Sequence, residues 1–265
     1  MRRPVLRRRA RRTRRLGRIS RRRPAQCPGP CAHCIVVECG GRPLQFTHPA
    51  HDGTGSYETR VHRDGRIETR SGNWHDLFNA LCWLAWPRAK AALNALHVQQ
   101  AQADQTAPRR GAARDLATLF DESGAVLACS DPALTALLRD FRWAELFCAR
   151  RAQVLAGMRC FVFGHALLDK ARAPYKGLTA HALVLPVRRD FLSLPAAQQV
   201  GRLDAMLAEW FAESSNLDGT RRLSPLPLTG LPGFCKDNAN PAYYDDINVF
   251  RAGRARNGNM TRLTA

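Results

Sequence analysis

Three polar residues, His75, Asp76 and Asn79, lie close together in a segment whose apolar residues recur with helical spacing. His75 and Asn79 are four residues apart, so they share one face of a helix and could present ligands to the same cation. Asn73 and Asp76 resemble a helix N-terminal capping box, which explains both without a catalytic role. Capping leaves His75 and Asn79 unexplained, and both are therefore candidate catalytic residues.

Two further histidines, His165 and His181, have neighbours that suit a metal site. Asp169 follows His165 by one helical turn, a spacing at which the carboxylate could hold one tautomer of the imidazole. His181 lies in a run of Ala, Leu and Val, so its ring is expected to be largely buried. Together with His75 they supply three imidazoles, enough for a catalytic zinc or iron site with an open coordination position. The alternative is that each is an ordinary histidine of the core.

Two acidic pairs, Asp121-Glu122 and Asp245-Asp246, could complete a metal site or act as general acid and base. The first pair falls where a predicted hairpin turn needs polar residues, and turn chemistry explains it. The second pair lies in an irregular segment where neither a helix cap nor a hairpin requires it. Asp245 and Asp246 therefore join His75, His165 and His181 as candidate metal ligands.

Four of the nine cysteines cluster near the start of the chain, at Cys27, Cys31, Cys34 and Cys39. Four thiolates could bind zinc or an iron–sulfur cluster. The pairs are, however, much closer together than in the common two-knuckle zinc sites, and the sequence leaves metal binding by this cluster open. The other five cysteines stand singly among apolar residues and are expected to be buried thiols in a reducing compartment.

The formal charge of +19 is concentrated in a leader, residues 1–35. Thirteen arginines and no acidic residue lie between Arg2 and Arg23, so the rest of the chain carries only +6. Such a leader would bind nucleic acid non-specifically through the phosphate backbone. Translated upstream sequence before a mis-assigned start codon would look the same. Because no apolar segment is long enough for a membrane span or a signal peptide, we expect a cytoplasmic protein without membrane contact.

The periodicity of apolar residues predicts a single globular domain over residues 36–265 with an α+β fold. We expect helices packed around short antiparallel hairpins and one central strand, followed by an irregular C-terminal tail. The predicted hairpins are 57–63 with 66–70, around Asp64-Gly65, and 116–120 with 125–129. The predicted helices are one starting at Asn73, then 88–102, 132–139, 143–156, 165–173 and 196–213. Residues 179–187 are predicted to form the central strand.

A hairpin followed by a helix with His or Asn ligands is also the outline of the His-Me finger nucleases. In that interpretation His62, near the end of the first predicted strand, activates water while the helix at Asn73 holds a divalent metal. The zinc knuckles and the longer loop common in that superfamily are missing from this sequence.

Several motifs together resemble a bacterial domain-of-unknown-function family, number 3025. They are Tyr57-Glu58, Gly65-Arg-Ile67 with Thr69-Arg70, Asn73-Trp-His-Asp-Leu-Phe-Asn-Ala-Leu81, Pro87-Arg-Ala-Lys90 with Leu93-Asn94, Leu119-Phe-Asp-Glu122, Phe163-Gly-His-Ala-Leu167 with Lys170, Thr179-Ala-His181, and Tyr244-Asp-Asp246 with Val249-Phe-Arg251. The resemblance covers about residues 40–251. It implies membership of a family known mainly from proteobacteria and without an assigned activity, so the chemistry must be argued from the residues.

The sequence favours a metal-assisted hydrolase or nuclease-like domain that uses a histidine and aspartate site. Its candidate catalytic residues are His75, Asn79, His165 and His181. A divalent metal ion is the candidate cofactor. No nucleotide cofactor is expected, because the chain has neither a P-loop nor a Gly-x-Gly-x-x-Gly motif after a strand. The alternative is a non-catalytic nucleic-acid-binding or structural module.

Overall fold

A computed structural model describes residues 38–39, 42–49, 55–104 and 111–253. The elements described below all belong to one compact unit, residues 36–265. Its α-helices are α1 (Tyr57–Asp64), α2 (Trp74–Ala85), α3 (Pro87–Asp104), α4 (Ala112–Ser123), α5 (Pro132–Arg139), α6 (Arg151–Gly157), α7 (His165–Lys170) and α8 (Ala196–Ala212). Its strands are β1 (Glu38–Cys39), β2 (Arg42–Pro43), β3 (Gln45–Thr47), β4 (Arg66–Glu68), β5 (Gly124–Cys129), β6 (Met158–Val162), β7 (Thr179–Pro186) and β8 (Ser224–Pro227).

The main sheet has four strands in the order β6-β5-β7-β8. β5 runs parallel to β7, and the two outer strands are antiparallel to their neighbours. Every residue of β5 is buried, because helices cover both faces of the sheet. The predictions of an α+β fold and of a central strand at residues 179–187 are confirmed, although β7 shares the centre of the sheet with β5.

The two faces of the sheet pack against different sets of elements. On one face, α3, α4 and α8 contribute Leu93, Phe120 and Leu203 to an apolar cluster. On the other face, α5, a π-helix at Glu145–Ala149 and the C-terminal segment contribute residues such as Leu134, Phe147 and Tyr244. The C-terminal segment, predicted to be irregular, supplies the edge strand β8 and several short 3-10 helices.

Both predicted hairpins are wrong. Residues 57–64 form α1, which begins after Ser56 and ends at Gly65, where φ is +67°. Asp64-Gly65 is therefore a helix end and not a hairpin turn, since a left-handed glycine serves either purpose. Residues 116–120 belong to α4, and Gly124 begins β5 directly after it. In both cases the strand after the glycine pairs with a distant segment, β3 or β7, and not with the residues before the turn.

The helix predictions are confirmed in most of their extent. The side chain of Asn73 accepts a hydrogen bond of 3.0 Å from the Asp76 amide and caps α2. Asp131 caps α5 in the same way. The helix predicted for residues 143–156 is divided between the π-helix and α6. Among the described residues, no helix combines the length and apolar character that a membrane crossing requires.

The N-terminus of α3 is capped by a side chain from another helix. Asp204, a buried residue of α8, accepts hydrogen bonds from the backbone amides of Arg88 (3.2 Å) and Ala89 (2.8 Å). These amides have no acceptor within α3, because they belong to its first turn. Asp204 thus joins two helices that lie on the same face of the main sheet.

We expect Asp204→Ala to lower the free energy of unfolding by about 2 kcal/mol, because two buried amides lose their acceptor. Asp204→Asn keeps an acceptor oxygen and should cost less. Urea denaturation measures both changes, with Glu209→Ala, an exposed position on the same helix, as the control. Equal stability of the Asp204→Ala and Glu209→Ala variants would show that this cap does not stabilise the fold.

Candidate functional site

The helices α2 and α7 bring His75 and His165 together, although the two residues are 90 positions apart. Their Nε2 atoms lie 3.1 Å apart, and the rings meet edge to face with centroids 4.5 Å apart. His165 is only 4% exposed. It opens α7 directly after Gly164, where a side chain would collide with the carbonyl of Glu122 at 2.5 Å. Glycine at this position lets the start of α7 lie against the end of α4.

The last turn of α4 adds two carboxylates to this pair of histidines. Glu122 Oε2 lies 3.6 Å from His165 Nε2, and Asp121 Oδ2 lies 3.9 Å from His165 Nδ1. His75, Glu122 and His165 each offer one ligand atom within 4.8 Å of the others. In the part of the chain that the structure describes, this is the only group of three or more His, Cys, Asp or Glu residues with metal-ligand spacing.

A buried lysine stands behind the histidines. The ammonium of Lys90 donates hydrogen bonds to Asp121 Oδ1 at 2.5 Å and to Asn79 Oδ1 at 3.0 Å. The amide of Asn79 in turn donates to the hydroxyl of Tyr57 at 2.8 Å. The Lys90 side chain is 4% exposed and its charge lies 5.3 Å from the ring centre of Trp83. The network thereby links α1, α2, α3 and α4.

The charges in this network stabilise one another. Burial favours the neutral forms of Lys90 and Asp121, but their mutual attraction outweighs it. The pKa of Lys90 is therefore raised and the pKa of Asp121 is lowered. Burial also lowers the pKa of His165 and, together with Lys90, outweighs the opposing effect of the Asp121 carboxylate. At neutral pH the site contains an ammonium at Lys90, a carboxylate at Asp121 and a neutral imidazole at His165.

The hydrogen-bonding needs of His165 indicate which nitrogen is available to a ligand. Its Nδ1 is buried and has no hydrogen-bond partner, and the carboxylate of Asp121 is the acceptor facing it. A proton on Nδ1 directed towards Asp121 leaves the Nε2 lone pair free, and this Nε2 faces His75 and Glu122. This is the usual arrangement of a metal-binding histidine with a carboxylate behind it.

A cavity of about 400 Å³ opens beside these residues. Its wall is formed by α1, α2, α3, α4 and the start of α7, with Tyr57 and Trp83 as aromatic members. The polar lining residues are Glu58, Glu68, Arg70, His75, Asp76, Asn79, Lys90, Asn94, His97, Asp121, Glu122 and His165. The histidine cluster is therefore accessible to a small molecule.

The structure brings together three of the four predicted catalytic residues, His75, Asn79 and His165. His181 lies in β7 opposite Gly124, outside the group with metal-ligand spacing, and its buried Nδ1 has no partner. Its pKa is lowered by burial, with a smaller effect of Lys170 in the same direction.

The other predicted ligands lie elsewhere in the structure. Asp246 forms an ion pair of 2.9 Å with Lys176, Asp245 is exposed, and neither residue lines the cavity. His62 lies within α1, so the hairpin on which the nuclease interpretation depended is not present.

Cys39 is the one member of the cysteine cluster among the described residues. Its thiol is buried, lies 3.2 Å from Asn94 Oδ1 and donates a hydrogen bond to it. Burial raises the pKa of this thiol to about 11, which opposes formation of the thiolate that binds metals. Cys27, Cys31 and Cys34 lie outside the described residues, as does the whole leader.

Glu122, Asp121 and Lys90 carry too weak a signal in the sequence to stand out as site residues. The predicted hairpin turn accounts for both carboxylates, but residues 116–123 are helical and this turn is not formed. A correct assignment of residues 112–123 as a helix ending beside Gly124 would have removed that explanation and left the two acids unexplained.

We expect Lys90→Met to lower the free energy of unfolding by about 3 kcal/mol, because Asp121 is left as a buried charge without a partner. Because the folded-state pKa of Asp121 is lowered, the contribution of the pair is fully present above about pH 4, the pKa of an unfolded aspartate, and is lost as the pH falls below that value towards the folded-state pKa. Urea denaturation at pH 7 and pH 3 measures the cost of the substitution and its decrease in acid.

Lys236→Met, at an exposed position, is the control for this substitution. Adding Asp121→Asn to Lys90→Met should recover part of the lost stability. A double variant as unstable as the sum of the two single variants would contradict coupling between these charges.

Comparison with known proteins agrees with the motifs noted in the sequence. The family model DUF3025, described as a protein of unknown function, matches residues 44–254. Searches of curated proteins and of solved structures give no match. Since the family model covers most of the sequence, the chain belongs to this family of proteins of unknown function, DUF3025.

Proposed function

We propose that this protein is a metal-assisted hydrolase whose divalent cation is bound by His75, His165 and Glu122. The observation that carries the proposal is the convergence of two Nε2 atoms, 3.1 Å apart, with a carboxylate oxygen 3.6 Å from one of them. These three residues come from three separate helices, so local helix structure does not explain their meeting.

The distances between these ligand atoms fit the binding of one shared metal ion. Two ligand atoms that each lie about 2.1 Å from a tetrahedral zinc ion are roughly 3.4 Å apart. The observed separations lie on either side of this value. Two histidines and one glutamate are also the ligand set of several zinc hydrolases, in which the fourth position holds water.

Asp121 and Lys90 have supporting roles in this proposal. Asp121 faces Nδ1 of His165 and holds the imidazole so that Nε2 points at the ion. Lys90 keeps Asp121 ionised and in place through its 2.5 Å hydrogen bond. Asn79, the remaining predicted catalytic residue of α2, binds Lys90 and positions it, so we assign it no contact with the substrate.

The chemistry follows from the open coordination position. A zinc ion lowers the pKa of bound water to near 7, which supplies a nucleophile at neutral pH, and it polarises the oxygen of the group under attack. The cavity beside the cluster gives a small substrate access to that position. The nucleic-acid partner predicted from the arginine leader concerns residues outside the described part of the chain and stays a prediction.

We expect the purified full-length protein to contain about one equivalent of zinc, iron or manganese by plasma mass spectrometry. His75→Ala, His165→Ala and Glu122→Gln should each remove nearly all of it, because each deletes a ligand. Asp121→Asn should weaken metal binding by about 10- to 100-fold, as the loss of a group that orients a ligand does.

His181→Ala is the matched control, since it removes a partly buried histidine outside the cluster. Circular dichroism of each variant separates loss of metal from loss of fold. Folded protein that binds none of the three metals would contradict the proposal. If the His181→Ala variant lost as much metal as the His75→Ala and His165→Ala variants, the result would instead support the three-histidine site predicted from the sequence.

A further inference from the structure

Acidic side chains outnumber basic side chains in the lining of the cavity. Among the described lining residues there are five carboxylates, namely Glu58, Glu68, Asp76, Asp121 and Glu122, but only two permanently basic side chains, Arg70 and Lys90. Before any cation binds, the cavity is therefore an acidic environment. Its electrostatic potential attracts positive charge and repels phosphate or carboxylate groups.

Both basic side chains are already bound to carboxylates. Arg70 holds Asp76 through two hydrogen bonds of 2.7 and 2.9 Å, and Lys90 holds Asp121 at 2.5 Å. Phosphate recognition normally requires arginine or lysine groups that are free to bind it. The lining residues in the described part of the chain offer no such free group, which disfavours a phosphate ester as the substrate.

Two lining carboxylates, Glu58 and Glu122, have no lysine or arginine partner among the described residues. Glu122 is assigned to the metal ion, which leaves Glu58, in the first turn of α1 and near His97, without a permanently charged partner. Glu68, by contrast, accepts hydrogen bonds from Nε and Nη2 of Arg60 at 3.0 and 2.9 Å. A carboxylate at the wall of a partly enclosed cavity can compensate its own desolvation by binding a cation.

Glu58 lines the cavity from α1, and its carboxylate is close enough to His97 of α3 to act on it electrostatically. Asn94 of α3 donates a hydrogen bond of 3.0 Å to the backbone carbonyl of Glu58, which fixes α1 against α3 at this point. Lys90 and His97 lie on the same side of α3 and both line the cavity. Seven residues of α-helix separate them, so the cavity extends roughly 10 Å along α3 from the cluster.

Resting on the proposed metal centre, we propose that the substrate is a small amide or ester that carries a protonated amine, with Glu58 binding the ammonium group. A divalent cation held by His75, His165 and Glu122 would activate a water molecule for attack on the carbonyl carbon. The oxygen of the water would form the new bond to carbon, the carbon–nitrogen or carbon–oxygen bond would break, and a proton from the water would pass to the leaving group. Glu58 is a specificity-determining residue in this scheme and takes no part in bond breaking.

Three hydroxamic acids of matched length test the proposal, because a hydroxamate binds zinc at one end and leaves the tail free. The probes are 6-aminohexanohydroxamic acid, hexanohydroxamic acid and the monohydroxamate of adipic acid. Calorimetric titration into the zinc-loaded full-length protein should give the tightest binding for the amine tail, about tenfold tighter than the neutral tail, and the weakest for the carboxylate tail.

Glu58→Gln should abolish the preference for the amine tail and leave the affinity for hexanohydroxamic acid unchanged. Glu209→Gln, which removes an exposed carboxylate of α8, should alter neither value. Equal binding of the three probes, or tightest binding of the carboxylate tail, would overturn the substrate class and leave the metal centre standing. Failure of the folded protein to bind zinc, iron or manganese would overturn both.

Discussion

The ion pair between Lys90 and Asp121 is the interaction on which the site depends. It joins α3 to α4 in a region where each charge alone would be strongly unfavourable. Asn79 accepts a hydrogen bond from the same ammonium, and the second oxygen of Asp121 lies 3.9 Å from Nδ1 of His165, so residues of α2 and α7 also face the pair. Removing one partner of such a pair would leave an uncompensated buried charge, so the packing of these helices depends on both residues.

The main sheet provides the rigid part of this arrangement. β5 and β7 are buried on both faces, and the loop-free passage from α4 into β5 fixes the end of α4, where Asp121 and Glu122 lie. Gly164 at the end of β6 lets α7 start in contact with that same point. Side chains at the ends of strands and helices are positioned more precisely than side chains on long loops, because the packed core restricts the motion of the backbone that carries them.

The helix α2 has an unusual distribution of side chains. Its polar residues His75, Asp76 and Asn79 line the cavity, whereas Trp74, Leu77, Leu81 and Leu84 are between 41% and 55% exposed. In most amphipathic helices the large apolar residues face the core and the polar residues face water. In α2 this pattern is reversed on two of its faces, and leaving large apolar side chains in contact with water is unfavourable. The position of α2 is therefore consistent with a requirement that its polar residues line the cavity.

The sequence by itself determined the α+β class, most helices and the central position of residues 179–187, because these follow from local periodicity and capping. It also singled out His75, Asn79 and His165 as candidates, since polar residues at helix starts in apolar surroundings stand out, and the structure places these three beside one cavity. It could not assign residues 57–64 and 116–123 as helices, because a glycine with positive φ or an acidic turn fits a hairpin equally well in a local view. Only the tertiary structure decided that Glu122 and Asp121 join the histidines while His181, Asp245 and Asp246 do not. The physical reason is that these distances depend on how distant helices pack around the sheet and on the pairing of buried charges, neither of which is encoded in the spacing of nearby residues.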